Sequence, residues 1–541
     1  MQKKTVYLKF FLSGIALSLP YVLPKLWILA YVALIPMIRI LILTGEEATK
    51  KRAYLSGLCF GMGYFGVMFH WFMEFYPMEF ADVTKPMAVL LIALCWIGLA
   101  TLQALEFGFL PLVYRLIRPE KKAPLLGAFV FGALFVIFEW QQNFFFRGVP
   151  WARLGITQVE SPLALQSASL FGGQFVSLVI VMVNGLLAVA SIYATQRLSG
   201  EGIKAIAGAI KNKKTAIYAS VALGLFLVNI LFGAVRMLTY KDDGEAVTVA
   251  VIQANQSSLD NLGTSSAKAL NMYLELTDQC VKESGAKIVV WPETAVPSTI
   301  SRYPTIMKKI SEKAAELDIT LFAGAFDYDN NGGAYNSIYL FMPDGTVSDQ
   351  RYHKRHLVPF GEYTPFESFV KTVLPTFYAA FNYDDSLTAG QGSQLFDTDY
   401  GLIGSLICFD SIYDELTRES VNDGAGLITL STNDSWFSDS PAVYQHSSHA
   451  VLRAIENGRY VLRSATTGVS CIISPTGRIL DEQAPLTQGY AVAEVHINSQ
   501  RTLYSYVGNV VSYLALGFAV CMLSRSVSLS AMAKNKEESI E

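Results

Sequence analysis

Gly401-Leu402-Ile403-Gly404-Ser405-Leu406-Ile407-Cys408-Phe409-Asp410 is a short apolar run that closes on a cysteine, an aromatic and an acid. Its continuous apolar character fits a strand buried in a sheet, whose fixed backbone projects the last side chain into a crevice at the carboxyl edge. Cys408 stands at that edge. A lone cysteine in such a place is more often a small core hydrophobe than a nucleophile, but two other edges change the weighting. Ile288-Val289-Val290-Trp291-Pro292-Glu293 is a second apolar run ending in a carboxylate, and Tyr352-His353-Lys354-Arg355-His356-Leu357-Val358-Pro359-Phe360-Gly361-Glu362 is a basic segment running into a Pro/Gly turn. Glu293, Lys354 and Cys408 meet if these strands lie side by side.

The 541-residue chain is 52% hydrophobic with a mean hydropathy of +0.34, too apolar for an ordinary soluble protein, and a membrane protein is the expected class. A net charge of -3 gives no reason to expect a nucleic-acid partner. The cysteines (Cys59, Cys95, Cys280, Cys408, Cys471 and Cys521) form no CxxC pair and no dense framework, which argues against a zinc site or a disulfide scaffold. If Cys280, Cys408 and Cys471 face an oxidising compartment, their odd number leaves a thiol free.

From Leu8 to Leu238 the chain is a series of apolar stretches, each near the roughly 20 residues a helix needs to cross the hydrocarbon core. Spans are expected near Leu8–Leu23, Leu26–Thr44, Ala53–Phe75, Met87–Tyr114, Leu125–Phe145, Pro162–Ala194 and Thr215–Leu238. The sixth is longer than a span requires, so part of it should form a separate short helix or lie along the interface. The first resembles a signal peptide in length, but comparable segments follow it, which favours an uncleaved span. Lys3 and Lys4, Lys50 to Arg52, Arg115 with Arg118, Lys121 and Lys122, and Arg197 with Lys204, Lys211, Lys213 and Lys214 fall on alternate loops, whereas the loops of the other face carry Glu79 and Asp82 and only Arg147 and Arg153 as basic residues. The positive-inside rule then puts the N-terminus in the cytoplasm and the segment after Lys241 outside.

From Lys241 to Arg501 the composition becomes that of a globular α/β protein. Strands are expected at Ala246–Gln253, Lys287–Trp291, Thr320–Phe326, Ser337–Met342, Leu402–Cys408, Leu427–Ser431, Gly468–Ser474 and Tyr490–Val495. Helices are expected at Ser266–Ser284, Tyr303–Leu317, Asp414–Val421 and Tyr444–Asn457, giving a buried sheet covered by helices. Pro343-Asp344-Gly345 and Pro475-Thr476-Gly477 read as hairpin turns. A last span, Leu503–Leu523, returns the chain to the cytoplasm, so the expected domains are 1–240, 241–501 and 502–541.

A glutamate, a lysine and a cysteine at strand edges suggest acyl transfer through a thioester. A thiol with a pKa of about 8.5 is little ionised at neutral pH and needs a base or a nearby cation. Glu293 and Lys354 supply one each. Glu293 follows an apolar strand and Trp291-Pro292, surroundings that move a carboxylate toward neutrality as a general base requires. Lys354, staying protonated, would stabilise an oxyanion together with a backbone N–H after Cys408. The competing readings are a solvent-facing loop carboxylate and a surface lysine among Arg351, Arg355 and His356.

Trp291-Pro292-Glu293-Thr294-Ala295-Val296-Pro297, His356-Leu357-Val358-Pro359-Phe360-Gly361-Glu362, Ile407-Cys408-Phe409-Asp410, Asn433-Asp434-Ser435-Trp436-Phe437 and Gln445-His446 together resemble the motif series of the apolipoprotein N-acyltransferases, over essentially the whole chain. The resemblance implies a multi-span α-helical membrane bundle plus an α/β nitrilase-like αββα sandwich domain. It assigns Cys408 as nucleophile, Glu293 as proton acceptor, Lys354 as oxyanion stabiliser and Glu362 as a supporting carboxylate. It implies ping-pong transfer of a fatty acyl group from a membrane phospholipid to the N-terminal α-amine of a diacylated apolipoprotein, by a multi-pass protein of the bacterial inner membrane whose catalytic domain is periplasmic and whose termini are cytoplasmic. No cofactor or metal is expected, and the chain is expected as a monomer. The sequence departs from the family's pattern at Phe409-Asp410, where Tyr-Glu is usual, at Gln253-Ala254-Asn255 and at Ser435 and Ser438.

Trp436, Phe377 and Phe381 are the substrate-binding candidates. The last two belong to Phe366–Tyr383, an aromatic segment that reads either as an interfacial loop over an acyl channel or as a core helix. His446 and His449 have the spacing of a helical metal pair but no clear third ligand, so His446 is expected to support the site by hydrogen bonding. His70 is polar at membrane depth or just beyond it. Arg147 and Arg153 are candidates for lipid phosphate contact or anchoring. Arg453, Arg459 and Arg463 are expected in ion pairs, with Glu456 as one partner, and Cys471 in the core. A membrane-tethered amidase using the same triad, and a transporter or scaffold whose outer domain only binds, are the rival readings.

Overall fold

The computed structural model describes residues 3–44, 48–78, 83–117, 119, 123–144, 149–195, 212–256, 266–329, 332–373, 375, 378 and 386–538. Phe377, Phe381, Arg147 and the loop charges Glu79, Asp82, Arg118, Lys121, Lys122, Arg197, Lys204 and Lys211 lie outside the described residues. The chain divides into two compact units, one made of Met1–His70, Leu94–Leu238 and Asn509–Glu541, the other of Trp71–Ala93 and Thr239–Gly508.

The first unit is helical. Seven helices among the described residues are long and apolar enough to cross a membrane: Lys4–Val22, Pro24–Thr44, Lys85–Ile117, Pro124–Asn143, Gly173–Thr195, Lys213–Thr239 and Val510–Met532. The span expected at Ala53–Phe75 is not among them. It forms a helix over Lys50–Met68 and a 3-10 turn over Phe69–Phe75, and Lys50, Lys51 and Arg52 together with Gly57, Gly61, Gly63 and Gly66 dilute its apolar character. Two glycines let it approach its neighbour: a Cβ at Gly63 collides with the Phe11 carbonyl and one at Gly14 with the Phe60 carbonyl, so Lys3–Val22 and Lys50–Met68 touch backbone to backbone. The long stretch Pro162–Ala194 breaks as its excess length requires, into Pro162–Leu165, Ala168–Phe171 and Gly173–Thr195. The final long helix begins at Val510 rather than Leu503, because Gly508 at φ 58° ends a separate turn of helix over Leu503–Val507. Arg153 does not reach lipid phosphate. It is buried and donates from Nη1 to the Glu139 carbonyl at 2.8 Å, while the Glu139 carboxylate accepts from Leu154 N at 2.5 Å and Ser177 Oγ at 3.0 Å. Both charges are thus held inside the protein, where such groups need partners.

The second unit is the αββα sandwich. Its strands are β1 (Ala246–Gln253), β2 (Ile288–Val290), β3 (Val296–Thr299), β4 (Thr320–Tyr328), β5 (Ala334–Phe341), β6 (Val347–His353), β7 (Leu395–Thr398), β8 (Gly401–Ile407), β9 (Leu427–Thr432), β10 (Val461–Ala465), β11 (Ser470–Ile473), β12 (Ile479–Gln483) and β13 (Gly489–His496). One sheet has the order β13-β1-β2-β4-β5-β6, with β3 also paired to β4, and the other runs β12-β11-β10-β9-β8-β7. The period of two in β1 builds both layers of core. Val247, Val249 and Val251 face Ile403, Ile407, Leu427 and Leu462 of the second sheet, whereas Ala250 and Ile252 pack with Leu270, Tyr273, Ile310 and Ala314 of the helices Ser266–Ser284 and Pro304–Leu317. Asp414–Asn422 and Pro441–Asn457 cover the second sheet along β8 and β10. Both expected hairpins are present, closed by Gly345 at φ 83° between β5 and β6 and by Gly477 at φ 79° between β11 and β12. β1, β2 and β4 run parallel, as do β8, β9 and β10, so the carboxyl ends of β2 and β8 deliver Glu293 and Cys408.

Gly63→Leu is expected to lower the melting temperature of the detergent-solubilised protein by roughly 5 °C or more in a fluorescence thermal-shift assay. Gly66→Leu, where an added Cβ has nothing within 4 Å, is the control and should leave it unchanged.

Candidate active site

Three turns carry the acid, the base and the thiol. Glu293 follows β2 in a turn held by Trp291, whose N–H donates to the Phe322 carbonyl at 2.8 Å, whose indole N–H donates to Thr277 Oγ1 at 2.9 Å, and whose carbonyl accepts from Ser431 of the other sheet at 2.8 Å. Lys354 follows β6, its N–H donating to the Asn336 carbonyl at 2.8 Å. Cys408 is the first residue of a 3-10 turn, Cys408–Ile412, directly after β8. The turns that carry Glu293, Glu362 and Cys408 each hold a non-glycine residue in the left-handed region: Thr294 at φ 47°, Phe360 at φ 63° and Cys408 at φ 49°. Such residues cost about 1–3 kcal/mol each and persist only where their surroundings over-determine them.

Lys354 is the hub. Its Nζ donates to Glu293 Oε1 and to Glu362 Oε1, both at 2.9 Å, with 1% of the residue exposed. Asn336 on β5 donates from Nδ2 to the same two oxygens, at 2.7 and 3.2 Å, and Val358 N donates to Glu362 Oε2 at 2.8 Å. Asn336 was not singled out by the sequence reading, although a single amide inside the apolar run Ala334–Phe341 is the kind of signal that marks a polar site. The Glu293 carboxyl is raised above the usual carboxylate range by its burial and by Glu362, against the pull of Lys354. Burial alone would lower Lys354, but Glu293 and Glu362 outweigh it and keep the ammonium charged. The Cys408 thiol lies within electrostatic reach of both Glu293 and Lys354, and burial and the Glu293 charge push it up. The resting thiol is therefore protonated. Glu293 Oε2 accepts no hydrogen bond among the described residues, which leaves an oxygen for a proton. Lys354 has a third N–H for an oxyanion.

A second set of contacts ties the thiol's turn to the lysine's strand. Asp410, fully buried, accepts from Tyr352 OH at 2.8 Å, from His356 N at 2.8 Å and from Ile407 N at 3.2 Å. His446 contacts the Cys408 carbonyl and Asp434 rather than sharing a metal with His449, and no cluster of metal-ligating side chains occurs among the described residues. Trp436 is partly exposed in the Ser435–Phe437 turn, where its neighbour Phe437 packs edge-on against Trp71 and Phe75. In the aromatic segment the helix Glu367–Val373 buries Val370 but leaves Phe369 and Val373, with Phe366 just before it, at 62, 54 and 61% exposure, which is not the pattern of a core helix. Arg453 pairs with Glu456 and Arg463 with Asp434, as expected, but among the described residues Arg459 makes no ion pair. It donates to the carbonyls of Ala425, Gly458 and Ser499 at 2.7, 3.1 and 3.1 Å, and its burial lowers it to about 10.

Residues 248–503 match the carbon-nitrogen hydrolase family, and residues 13–186 match the apolipoprotein N-acyltransferase N-terminal domain. An apolipoprotein N-acyltransferase of Brucella melitensis is 30% identical over 445 residues, covering 78% of this chain and 76% of that protein. The chain belongs to the apolipoprotein N-acyltransferase family. The enzyme of that name from Geobacter metallireducens is 29% identical over 525 residues, 95% of this chain and 94% of its own length. Among solved structures, a nitrilase-superfamily protein of Saccharomyces cerevisiae aligns at 23% identity and a TM-score of 0.38, covering 47% of this chain and 90% of that one. The apolar helices and the family together make this a bacterial membrane protein.

A base acts only when deprotonated. With Glu293 raised, the rate of Cys408 alkylation by iodoacetamide should fall as pH drops through a value above the ordinary Glu range of about 4.3. Glu362→Gln removes one of the charges that raise it, so the acid limb is expected to move to lower pH, measured by intact mass across a pH series.

Proposed function

We propose that the chain transfers a fatty acyl group from a membrane phospholipid, through a thioester on Cys408, to the N-terminal α-amine of a diacylglyceryl-modified lipoprotein. The observation that carries this reading is the buried Glu293–Lys354–Glu362 cluster beside the Cys408 thiol, in a chain that matches its family along almost its full length. In the first half-reaction the sulfur attacks the ester carbonyl carbon while Glu293 Oε2 takes the thiol proton. Lys354 and a backbone N–H after Cys408 stabilise the oxyanion. Collapse breaks the carbon–oxygen bond, and the leaving glycerol oxygen recovers the proton from Glu293, giving a lysophospholipid and the acyl-enzyme. In the second half-reaction the amine attacks the thioester carbon, Glu293 accepts the ammonium proton, and the departing sulfur is reprotonated.

With Lys50–Met68 counted as a crossing beside the six long apolar helices that precede Lys241, the loop charges support a cytoplasmic N-terminus and a periplasmic 241–501 domain in the inner membrane. The chain is taken to act as a monomer. Both substrates are anchored in lipid, and a catalytic domain tethered to the same leaflet meets them far more often than a soluble one would. The exposed Phe366, Phe369 and Val373 fit a segment that enters the interface beside the acyl chain, with Trp436, Phe377 and Phe381 as further substrate contacts.

Incubated with phospholipid labelled in its acyl chains, the purified protein should acquire hydroxylamine-sensitive label and pass it to a diacylated lipopeptide, whereas Cys408→Ala should lose labelling by at least about 10³-fold. No label on the native protein would end the proposal. Phe369→Asp should slow acylation from phospholipid vesicles by roughly tenfold while leaving Cys408 alkylation by iodoacetamide unchanged. Equal slowing of both would remove the segment's interfacial role.

A further inference from the structure

His446, on the helix Pro441–Asn457, is 1% exposed and lies between two acceptors. Its Nδ1 is 2.7 Å from Asp434 Oδ1, and its Nε2 is 3.1 Å from the Cys408 carbonyl oxygen and 3.1 Å from Ser411 Oγ. Asp434 accepts from Arg463 Nη2 on its other oxygen at 2.6 Å, and that nitrogen also stands 3.3 Å from His446 Nδ1. Ser411 Oγ donates to the Cys408 carbonyl at 2.8 Å. Arg463 and His446 outweigh the burial of Asp434 and hold its carboxyl well below the usual range, so it is ionised.

The ring is therefore held from both ends, by the Asp434 carboxylate at Nδ1 and by the Cys408 carbonyl at Nε2, so its plane is fixed relative to the cysteine backbone. Ser411 Oγ touches the same ring nitrogen and the same carbonyl and closes the contact.

We propose that His446 is a positioning residue for the nucleophile: a buried imidazole anchored at Nδ1 by Asp434 and bonded through Nε2 to the Cys408 carbonyl, locking the cysteine in its left-handed conformation at φ 49°. The inference rests on the reading of Cys408 as the acyl carrier and adds the device that aims its sulfur. The strain at Cys408 is held from the carbonyl side by His446 and Ser411, and from the amide side by the Asp410 bond to Ile407.

Two isosteres separate this role from a merely structural one. A glutamine amide replaces Nε2 and an asparagine amide replaces Nδ1. In the full-length protein, His446→Asn should slow Cys408 alkylation by iodoacetamide roughly tenfold to hundredfold, and His446→Gln should restore most of the rate, with similar melting temperatures for the two variants. Asparagine equal to or faster than glutamine, or all three proteins reacting alike, would overturn the proposal. A measurement on the native chain covers the case in which a variant does not fold. In ¹⁵N-histidine-labelled protein, one ring with a slowly exchanging, hydrogen-bonded Nε2–H is expected, and its absence also overturns the proposal. Acylation by labelled phospholipid is followed in parallel. A native protein that takes no label but keeps the order of glutamine above asparagine removes the acyl-transfer reading and supports the positioning role.

Discussion

An ammonium group buried to 1% exposure is tolerated only when its charge is matched and its protons are received, and the pairing of Lys354 with Glu293 and Glu362 meets both conditions. The pairing sets the rest of the site. Two carboxylates share one cation, so the cluster carries surplus negative charge, and burial places that surplus on Glu293 as a raised affinity for protons. Asn336 bridges the same two oxygens, so four segments of chain are fixed to one another: the turns after β2 and β6, the Phe360 turn and β5. A site of this kind is preorganised by the folding of the sandwich itself.

The backbone strain is organised around the same point. Cys408, Thr294 and Phe360 adopt conformations that side-chain-bearing residues avoid, each within two residues of a member of the cluster or at one. Asp410 acts as the clamp. Tyr352 and His356 bracket Lys354 in the chain and Ile407 precedes Cys408, so a single carboxylate that accepts from all three sets the spacing between the ammonium and the thiol.

Much of this was legible in the sequence where a single force dominates. β1 and the helix Ser266–Ser284 fall where the apolar pattern puts them, because the strand is buried on both faces and the helix buries one clear face. Cys408 and Glu293 were visible because an apolar run ended abruptly on a reactive side chain. β10 was missed because Arg463 sits at its centre, and a buried arginine reads as surface until Asp434 is seen beside it. Arg459 was misread for the related reason that carbonyl oxygens, which have no signature in sequence, can satisfy a guanidinium as well as a carboxylate does. The start of the last long helix was displaced because the apolar run passes through Gly508 without a break in composition, while the backbone turns there. Asn336 and the Asp410 clamp join residues 26 to 58 positions apart, and pairings over such distances exist only once the sheets have formed.

Burial of both partners in the proton transfer has a consequence for the chemistry. A thiol made harder to ionise would be a poor nucleophile opposite an ordinary carboxylate, since the transfer would become steeply uphill. Here the carboxylate is raised as well, which offsets part of the rise that the same desolvation imposes on the thiol. On the acyl-transfer reading the second half-reaction gains from the same shift. The α-ammonium of an acceptor, with a pKa of about 7.7–8.0, gives up its proton more readily to a base whose affinity has moved toward its own, by about 1.4 kcal/mol for each unit of narrowing. On that reading one buried carboxylate, raised by its surroundings and anchored by Lys354, serves the thiol in the first step and the amine in the second.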